Sequence, residues 1–169
     1  KFDLISVKYV QEEGESGDNV EHLVDHFPAF VIVDKKNKDH GIRFYGCPSG
    51  NIFRSLIKVI LMISNGEHGV EDDILEMAKK IGDTDVQALI TPNAPSINST
   101  IDALNTIAYL NPKVKSSIIE LIQFPDIAEQ YRVLGIPKTI INETQHYTGQ
   151  FSLKECLEII QKKISDAEG

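Results

Sequence analysis

The chain has 169 residues, of which 41% are apolar and 25% charged, and its 17 basic and 25 acidic side chains give a formal charge of −8. This composition is typical of a folded globular protein and excludes a disordered one. The acidic balance argues against nucleic acid and membrane as partners, because both attract clustered lysine and arginine. No apolar stretch reaches the roughly 18 residues that span a bilayer.

Five segments before residue 67 have the periodicity of regular structure. In chain order they are a strand at 2–9, a helix at 19–26, strands at 29–33 and 42–45, and a helix at 51–64. The predicted helices have apolar residues three and four positions apart, whereas the predicted strands alternate or are short apolar runs. Pro28 ends the first helix, and Gly66 closes the second.

The rest of the chain predicts the order α-β-α-β-α-β-β-α. The segments are a helix at 70–80, a strand at 85–91, a helix at 96–110, a strand at 116–122, a helix at 126–133, strands at 138–141 and 146–151, and a helix at 153–164. The last five elements of this order repeat the order of the first half.

Two proline segments align without a gap. Residues 27–32 and 136–141 each place a proline, Pro28 or Pro137, between a short acidic helix and an apolar strand. Any two α/β halves share a coarse element order, but the matching proline favours an internal duplication. Since proline donates no hydrogen bond to a sheet, we expect a cis bond at each of these positions.

This pattern resembles the thioredoxin fold, and more narrowly the tandem thioredoxin-fold, glutaredoxin-like protein disulfide oxidoreductases of archaea. The matching stretches are residues 42–53, 124–131 and 135–138. The resemblance implies an α/β, thioredoxin-like fold of two tandem repeats. It places a partial repeat at 1–66, without its opening strand and helix, and a complete one at 67–169. The missing elements either lie upstream of Lys1 or have been lost.

The family's chemistry depends on a Cys-x-x-Cys at a helix N-terminus, where the helix dipole stabilises the first thiolate and the second thiol resolves the mixed disulfide. Here the corresponding residues are Ala94, Pro95, Ser96 and Ile97. Neither Ala94 nor Ile97 can carry electrons, so the resemblance implies a degenerate, redox-inactive motif in this repeat.

These features predict a cytoplasmic protein that binds a peptide or protein partner and needs no cofactor. The resemblance implies an extended-peptide groove beside Ile136 and Pro137, lined also by Ala94, Pro95 and Ile97, with Phe27 and Pro28 at the equivalent place in the first repeat. The alternative is a thiol-disulfide oxidoreductase that uses a Cys-x-x-Cys upstream of Lys1 or a single thiol at Cys47. A domain like the tandem-thioredoxin N-terminal region of alkyl hydroperoxide reductase flavoproteins is a third hypothesis.

The remaining candidate residues have simple structural interpretations. Cys47 precedes a helix and could act as a monothiol, but a lone cysteine in a turn is usually packed as a small apolar residue. We expect Cys156 in the core. His22 and His26 lie one helical turn apart, but no third metal ligand is evident, so we predict no metal site.

The helix at 51–64 is apolar on more than one face. Such a helix should be buried on both sides. Burial between the two repeats is the first interpretation, and a homodimer is the second.

Overall fold

The computed structural model describes residues 24–168. The strands in this range are β1 (Ala29–Val33), β2 (Asp39–Tyr45), β3 (Thr84–Ile90), β4 (Val114–Glu120), β5 (Lys138–Ile141) and β6 (Gln145–Thr148). The helices are α1 (Gly50–Asn65), α2 (Asp72–Lys79), α3 (Ile97–Leu110), α4 (Pro125–Gln130) and α5 (Leu153–Glu168). Within the described range, none of these helices is both long and apolar enough to cross a membrane.

The six strands form one sheet in the order β1-β2-β4-β3-β5-β6. Strand β4 is parallel to both β2 and β3, and the other neighbouring pairs are antiparallel. The second repeat contributes β3 to β6, and the hairpin β1–β2 extends this sheet because Ile42 of β2 pairs with Ser116 of β4. The two repeats therefore share one sheet.

Alternating side chains of the strands enter two cores on opposite faces of the sheet. The larger core contains Ile42, Phe44 and Ile118 together with the inward residues of α1, α3 and α5. The smaller core contains Tyr45 and Ile119, beneath α4. Successive residues of a strand point to opposite faces, so Phe44 and Tyr45 belong to different cores.

The predicted elements agree with the structure along most of the described range. The strands predicted at 29–33 and 138–141 have the observed bounds. The strand predicted at 2–9 and most of the helix predicted at 19–26 lie outside the described residues, and residues 24–26 are not helical. β2 begins at Asp39 rather than at residue 42, because Asp39 still pairs with Val33 after a shift of register.

Burial of both sides of the helix at 51–64 between the two repeats is not observed among the described residues, and burial in a homodimer stays a prediction. Ile52, Leu56 and Val59 of α1 are buried, whereas Phe53 and Leu61 are 52% and 54% exposed. One face of α1 packs on the core and beside α3, and no described element covers the other.

Candidate functional site

The segment that corresponds to the family motif connects β3 to α3. Ala94 is 9% exposed and Ile97 is fully buried, whereas Pro95 and Ser96 are exposed. Ser96 has φ +60°, a left-handed conformation, and α3 begins at the next residue. Ile97 lies in the first turn of α3, on the face that enters the core with Ile101, so the helical periodicity turns its side chain away from the surface.

The predicted groove lining is therefore wrong in part. Ile97 cannot line a surface groove because no part of it reaches solvent, and Ala94 offers almost no surface. Of the residues predicted from this segment, only Pro95 offers substantial surface.

The same segment is bonded to α1 of the first repeat. The backbone N–H of Asn51 donates to the carbonyl of Pro92 at 3.2 Å, and the Asn51 side-chain amide donates to the carbonyl of Ala94 at 3.4 Å. Asn98 of α3 adds two hydrogen bonds to α1. Its Nδ2 donates to the Asn51 carbonyl at 2.7 Å and to Ser55 Oγ at 2.9 Å. These bonds hold the motif segment against the N-terminus of α1.

The backbone where α1 meets this segment favours a glycine. Gly50 has φ +51°, and a Cβ on it would lie 3.0 Å from the Pro92 carbonyl oxygen. Both the left-handed backbone and the close approach therefore make a larger residue unfavourable here.

Both predicted cis bonds are confirmed, at Phe27–Pro28 and Ile136–Pro137. Each proline carbonyl accepts a hydrogen bond from a glycine N–H, Pro28 from Gly46 at 2.8 Å and Pro137 from Gly149 at 2.9 Å. Both glycines have positive φ and precede a helix by four residues. The two repeats thus have the same local geometry at their prolines.

Ile136 offers backbone groups to a ligand. Among the described residues, its N–H and C=O take part in no hydrogen bond, and its side chain is 38% exposed. Because Lys138 pairs with Leu89, Ile136 lies at the carboxyl end of β3, beside the motif segment.

Three further exposed apolar side chains lie at this end of the sheet. Leu134 is fully exposed, Ile122 is 69% exposed, and Phe27 is 45% exposed. We call Phe27, Ile122, Leu134 and Ile136 the carboxyl-end patch. These residues extend across the end of the sheet and do not form one compact cluster, because Phe27 precedes β1 and Ile136 precedes β5, four strand spacings or about 19 Å away.

The two cysteines are free and differ in accessibility. Cys47 is exposed, and its backbone N–H donates to Gln123 Oε1 at 3.0 Å. Cys156 is 1% exposed, as predicted, and burial raises the pKa of its thiol far above the usual range. Only the Cys47 thiol is accessible to a substrate.

Of the predicted histidine pair, His22 lies outside the described residues. The His26 ring packs near the rings of Tyr45 and Phe124, with centroids 6.1 and 5.7 Å away. Residues 24–168 contain no group of three side chains arranged to hold a metal ion.

A polar cavity on the α4 side of the sheet was not predicted. It has a volume of about 340 Å³, and its floor includes Asp85, Gln87, Lys115 and Ser117. Burial raises the pKa of Asp85, and the charges of Asp25 and Glu143 add to the shift while Lys115 opposes it. Polar residues at alternate positions of β3 and β4 were the available sequence signal.

Comparison with solved structures decides the fold. An N-terminal domain of the alkylhydroperoxide reductase AhpF from Enterococcus faecalis superposes with a TM-score of 0.78 at 20% identity, over 81% of this chain and 66% of that one. A protein disulfide oxidoreductase from Aeropyrum pernix K1 gives a TM-score of 0.73 at 26% identity, over 84% of this chain and 62% of the other. The fold is thioredoxin-like. The predicted fold class is therefore confirmed.

Sequence relatives agree with these neighbours. The alkyl hydroperoxide reductase AhpF of Escherichia coli is 27% identical over 142 residues, and an NADH dehydrogenase of Bacillus subtilis is 26% identical over 131 residues. These matches cover 83% and 77% of this chain but only 26% of each relative. The chain thus spans about a quarter of the length of these relatives. No protein-family model matches it.

Proposed function

We propose that the chain is a thioredoxin-like recognition protein that binds an extended peptide or protein segment beside Ile136 without exchanging disulfides. The observation that carries this proposal is the unpaired backbone of Ile136 at the edge of the carboxyl-end patch. An extended ligand would accept a hydrogen bond from the Ile136 N–H and donate one to its C=O, as in strand addition.

The apolar patch supplies the remaining contact. Side chains of the ligand would cover Leu134 and Ile136, which are now in water. The Pro137 carbonyl takes no part, because Gly149 already donates to it. Phe27 and Pro28 offer the corresponding surface in the first repeat.

Noncovalent binding follows from the residues at the motif positions. Ala94 and Ile97 have no thiol, so a bound partner cannot form a mixed disulfide there. The named relatives include reductases and a disulfide oxidoreductase. We place the chain beside such proteins in cytoplasmic redox homeostasis, as a protein that recognises partners and does not reduce them.

Amide chemical shifts of the ¹⁵N-labelled chain, titrated with a synthetic peptide library, test the proposal. We expect the largest changes at Gly135, Ile136 and Lys138. Ile136→Asp should weaken binding about tenfold or more, since it places a charge in the apolar contact. Leu61→Asp is the matched control, because Leu61 lies ten residues along α1 from Asn51, about 15 Å away. Shifts confined to other regions, or equal effects of both variants, would contradict the groove.

A thiol-disulfide oxidoreductase is the second candidate, favoured by the exposed Cys47 and the names of the relatives. It would act through Cys47 or through a Cys-x-x-Cys upstream of Lys1, in a longer protein such as the reductases that the chain matches. Insulin reduction by the 169-residue chain and its Cys47→Ser variant, with glutathione as the electron donor that releases the mixed disulfide, tests the first route, and the same assay on any longer natural chain tests the second. Turnover no higher than that of a boiled sample would exclude the route tested.

A further inference from the structure

The face of the sheet beneath α4 changes from apolar to polar along its strands. Ile119 of β4 belongs to the smaller core. Two residues earlier on the same face is Ser117, which pairs with Gln87 of β3, and two earlier again is Lys115, which pairs with Asp85. These four polar residues form the floor of the cavity of about 340 Å³. Parallel strands at the centre of a sheet are usually apolar on both faces, so packing does not explain this floor.

Ser117 lies on the floor without a hydrogen-bond partner. It is 8% exposed, and its Oγ neither donates nor accepts a bond within residues 24–168. Its neighbour Ser116, on the opposite face, donates to Asn105 at 2.8 Å. Gln87 is half-buried, and its side-chain amide also has no partner in that range. Because buried polar groups are normally bonded, Ser117 and Gln87 offer hydrogen bonds to whatever fills the cavity.

The cavity is acidic. The carboxylates that line it are Asp25, Asp85 and Glu143, and the cations are Arg43 and Lys115. The Arg43 guanidinium is paired with Asp39 through both of its Nη atoms, so three carboxylates remain against one lysine. Burial raises the pKa of Asp85, and the charges of Asp25 and Glu143 raise it further, which means that these carboxylates repel one another. A cation bound among them would relieve this repulsion.

The spacing of the acceptors suits a polyatomic cation and not a metal ion. In the described part of the chain, no three histidine, cysteine or carboxylate side chains are arranged to hold one ion. The acceptors are spread out instead, because neighbouring strands are about 4.8 Å apart and Asp85 and Gln87 are about 6.6 Å apart along β3. A guanidinium has five N–H donors in one plane and reaches several such acceptors at once, whereas an ammonium is a compact charge with three.

The opposite end of the cavity is apolar. Ile119 of β4 and Ile127 of α4 line it, together with the rings of Tyr45 and Tyr131. Ile119 lies about 6.6 Å along β4 from Ser117, a distance that a short alkyl chain spans. The cavity therefore presents polar acceptors at one end and an apolar wall at the other.

We propose that this cavity binds an alkylguanidinium group. The guanidinium N–H groups donate to Ser117 Oγ, Gln87 Oε1 and the Asp85 carboxylate, which also balances the charge. The alkyl chain packs against Ile119 and Ile127. The volume is at the lower end of the roughly 300–1,000 Å³ of ligand sites, so it fits a small molecule or one arginine side chain of a polypeptide. The site is separate from the proposed peptide groove, because Ile136 does not line it.

Titration of the ¹⁵N-labelled chain with butylguanidinium tests the site. We expect saturable shifts of the Ser117 backbone amide and the Gln87 side-chain amide, with a dissociation constant of about 1 mM or below for a ligand of this size. Butylurea has nearly the same shape but no charge, and it should bind at least tenfold more weakly. The absence of saturable shifts at roughly twenty times that concentration overturns the proposal, as does equal binding of the two compounds.

Two pairs of variants tie the binding to the floor of the cavity. Asp85→Asn should weaken it about tenfold because the variant removes a charged acceptor, whereas Asp83→Asn, just before β3, should leave it unchanged. Ser117→Ala should weaken it about threefold or more, and Ser116→Ala, on the opposite face of the sheet, should not. Circular dichroism verifies that each variant is folded. Equal effects of the two members of a pair would contradict the proposed contacts.

A capped tripeptide with a central arginine distinguishes the two sources of the group. Binding at least tenfold tighter than that of butylguanidinium would assign the cavity to an arginine side chain of a polypeptide, and binding no tighter would assign it to a free small cation. The same peptide with lysine in place of arginine should bind more weakly than the arginine peptide, since an ammonium reaches fewer of the acceptors. Tighter binding of the lysine peptide would overturn the assignment to a guanidinium.

Discussion

In the second repeat, β5 has a strand on each side and the apolar face of α5 is packed into the core. In the first repeat, β1 is the last described strand of the sheet, and the corresponding face of α1 is exposed. The side chains at these positions are apolar in both helices. The difference lies in the neighbouring helices: α5 packs against both α2 and α3, whereas the main contact of α1 among the described helices is with α3.

This contrast shows that equivalent residues of similar sequence can lie in different environments in the two repeats. Ile57 and Ile160 are the same residue at equivalent positions, yet one is 36% exposed and the other 1%. The exposure of such a residue therefore depends on which elements pack against its helix. Substitutions at equivalent or neighbouring positions of the two repeats therefore test this contrast.

The largest effect should come from truncating these two isoleucines. Ile160→Ala should lower the free energy of unfolding by about 2–5 kcal/mol, because it leaves a cavity in the core. Ile57→Ala should cost less than about 1 kcal/mol in dilute, monomeric protein, as expected for an exposed site. Urea unfolding at low micromolar concentration measures both. Equal losses would mean that Ile57 is covered within a single chain.

A smaller difference is expected at the serines that begin α1 and α5. Ser152 forms a capping box, since its N–H donates to Glu155 Oε2 at 2.7 Å and its Oγ accepts from the Glu155 N–H at 3.4 Å. Ser49 forms no side-chain cap. Ser152→Ala should therefore destabilise the protein by about 1 kcal/mol, and Ser49→Ala by less than about 0.5 kcal/mol. Thermal unfolding compares them, and a larger loss at Ser49 would contradict the assignment.

The smallest effect concerns Asp85, whose pKa is raised by burial and by carboxylates from both repeats, Asp25 and Glu143. Because the folded-state pKa lies above the unfolded one, protonated Asp85 favours folding, and this stability is lost as the pH rises through the folded-state pKa. Asp85→Asn should thus stabilise the protein at neutral pH, by no more than roughly 0.5 kcal/mol because solvent screens a partly exposed carboxyl.

Unfolding measured from pH 3 to pH 7 checks this expectation. The advantage of Asp85→Asn should shrink toward the acidic end. Asp83→Asn, just before β3, is the control. A variant less stable than the parent at neutral pH would show that the Asp85 charge is stabilising.

The regular elements could be predicted because their signals are local. Pro28 and Pro137 marked the two repeats and their cis bonds, and the spacing of Ile101 and Leu104 marked the inward face of α3. The same spacing indicates that Ile97 is buried, whereas the resemblance alone implies a groove position for it.

The sequence could not predict which distant elements pack against a given helix face. The exposure of Phe53 depends on which segments pack against α1, and a helical pattern gives the apolar faces of a helix without identifying what covers them. The bonds from Asn51 and Asn98 join residues about 45 positions apart, and nothing in a single sequence pairs them. The polar cavity around Asp85 likewise depends on strands brought together by the sheet order.

The contact between Asn51 and the segment 91–97 has a consequence for engineering. A Cys-x-x-Cys introduced at positions 94 and 97 would place its second thiol at a fully buried site and its first at a site of 9% exposure, beside the first turn of α1. Exchange with a protein disulfide would then have to begin at position 94, and the N-terminus of α1 would restrict the approach of the substrate to that thiol.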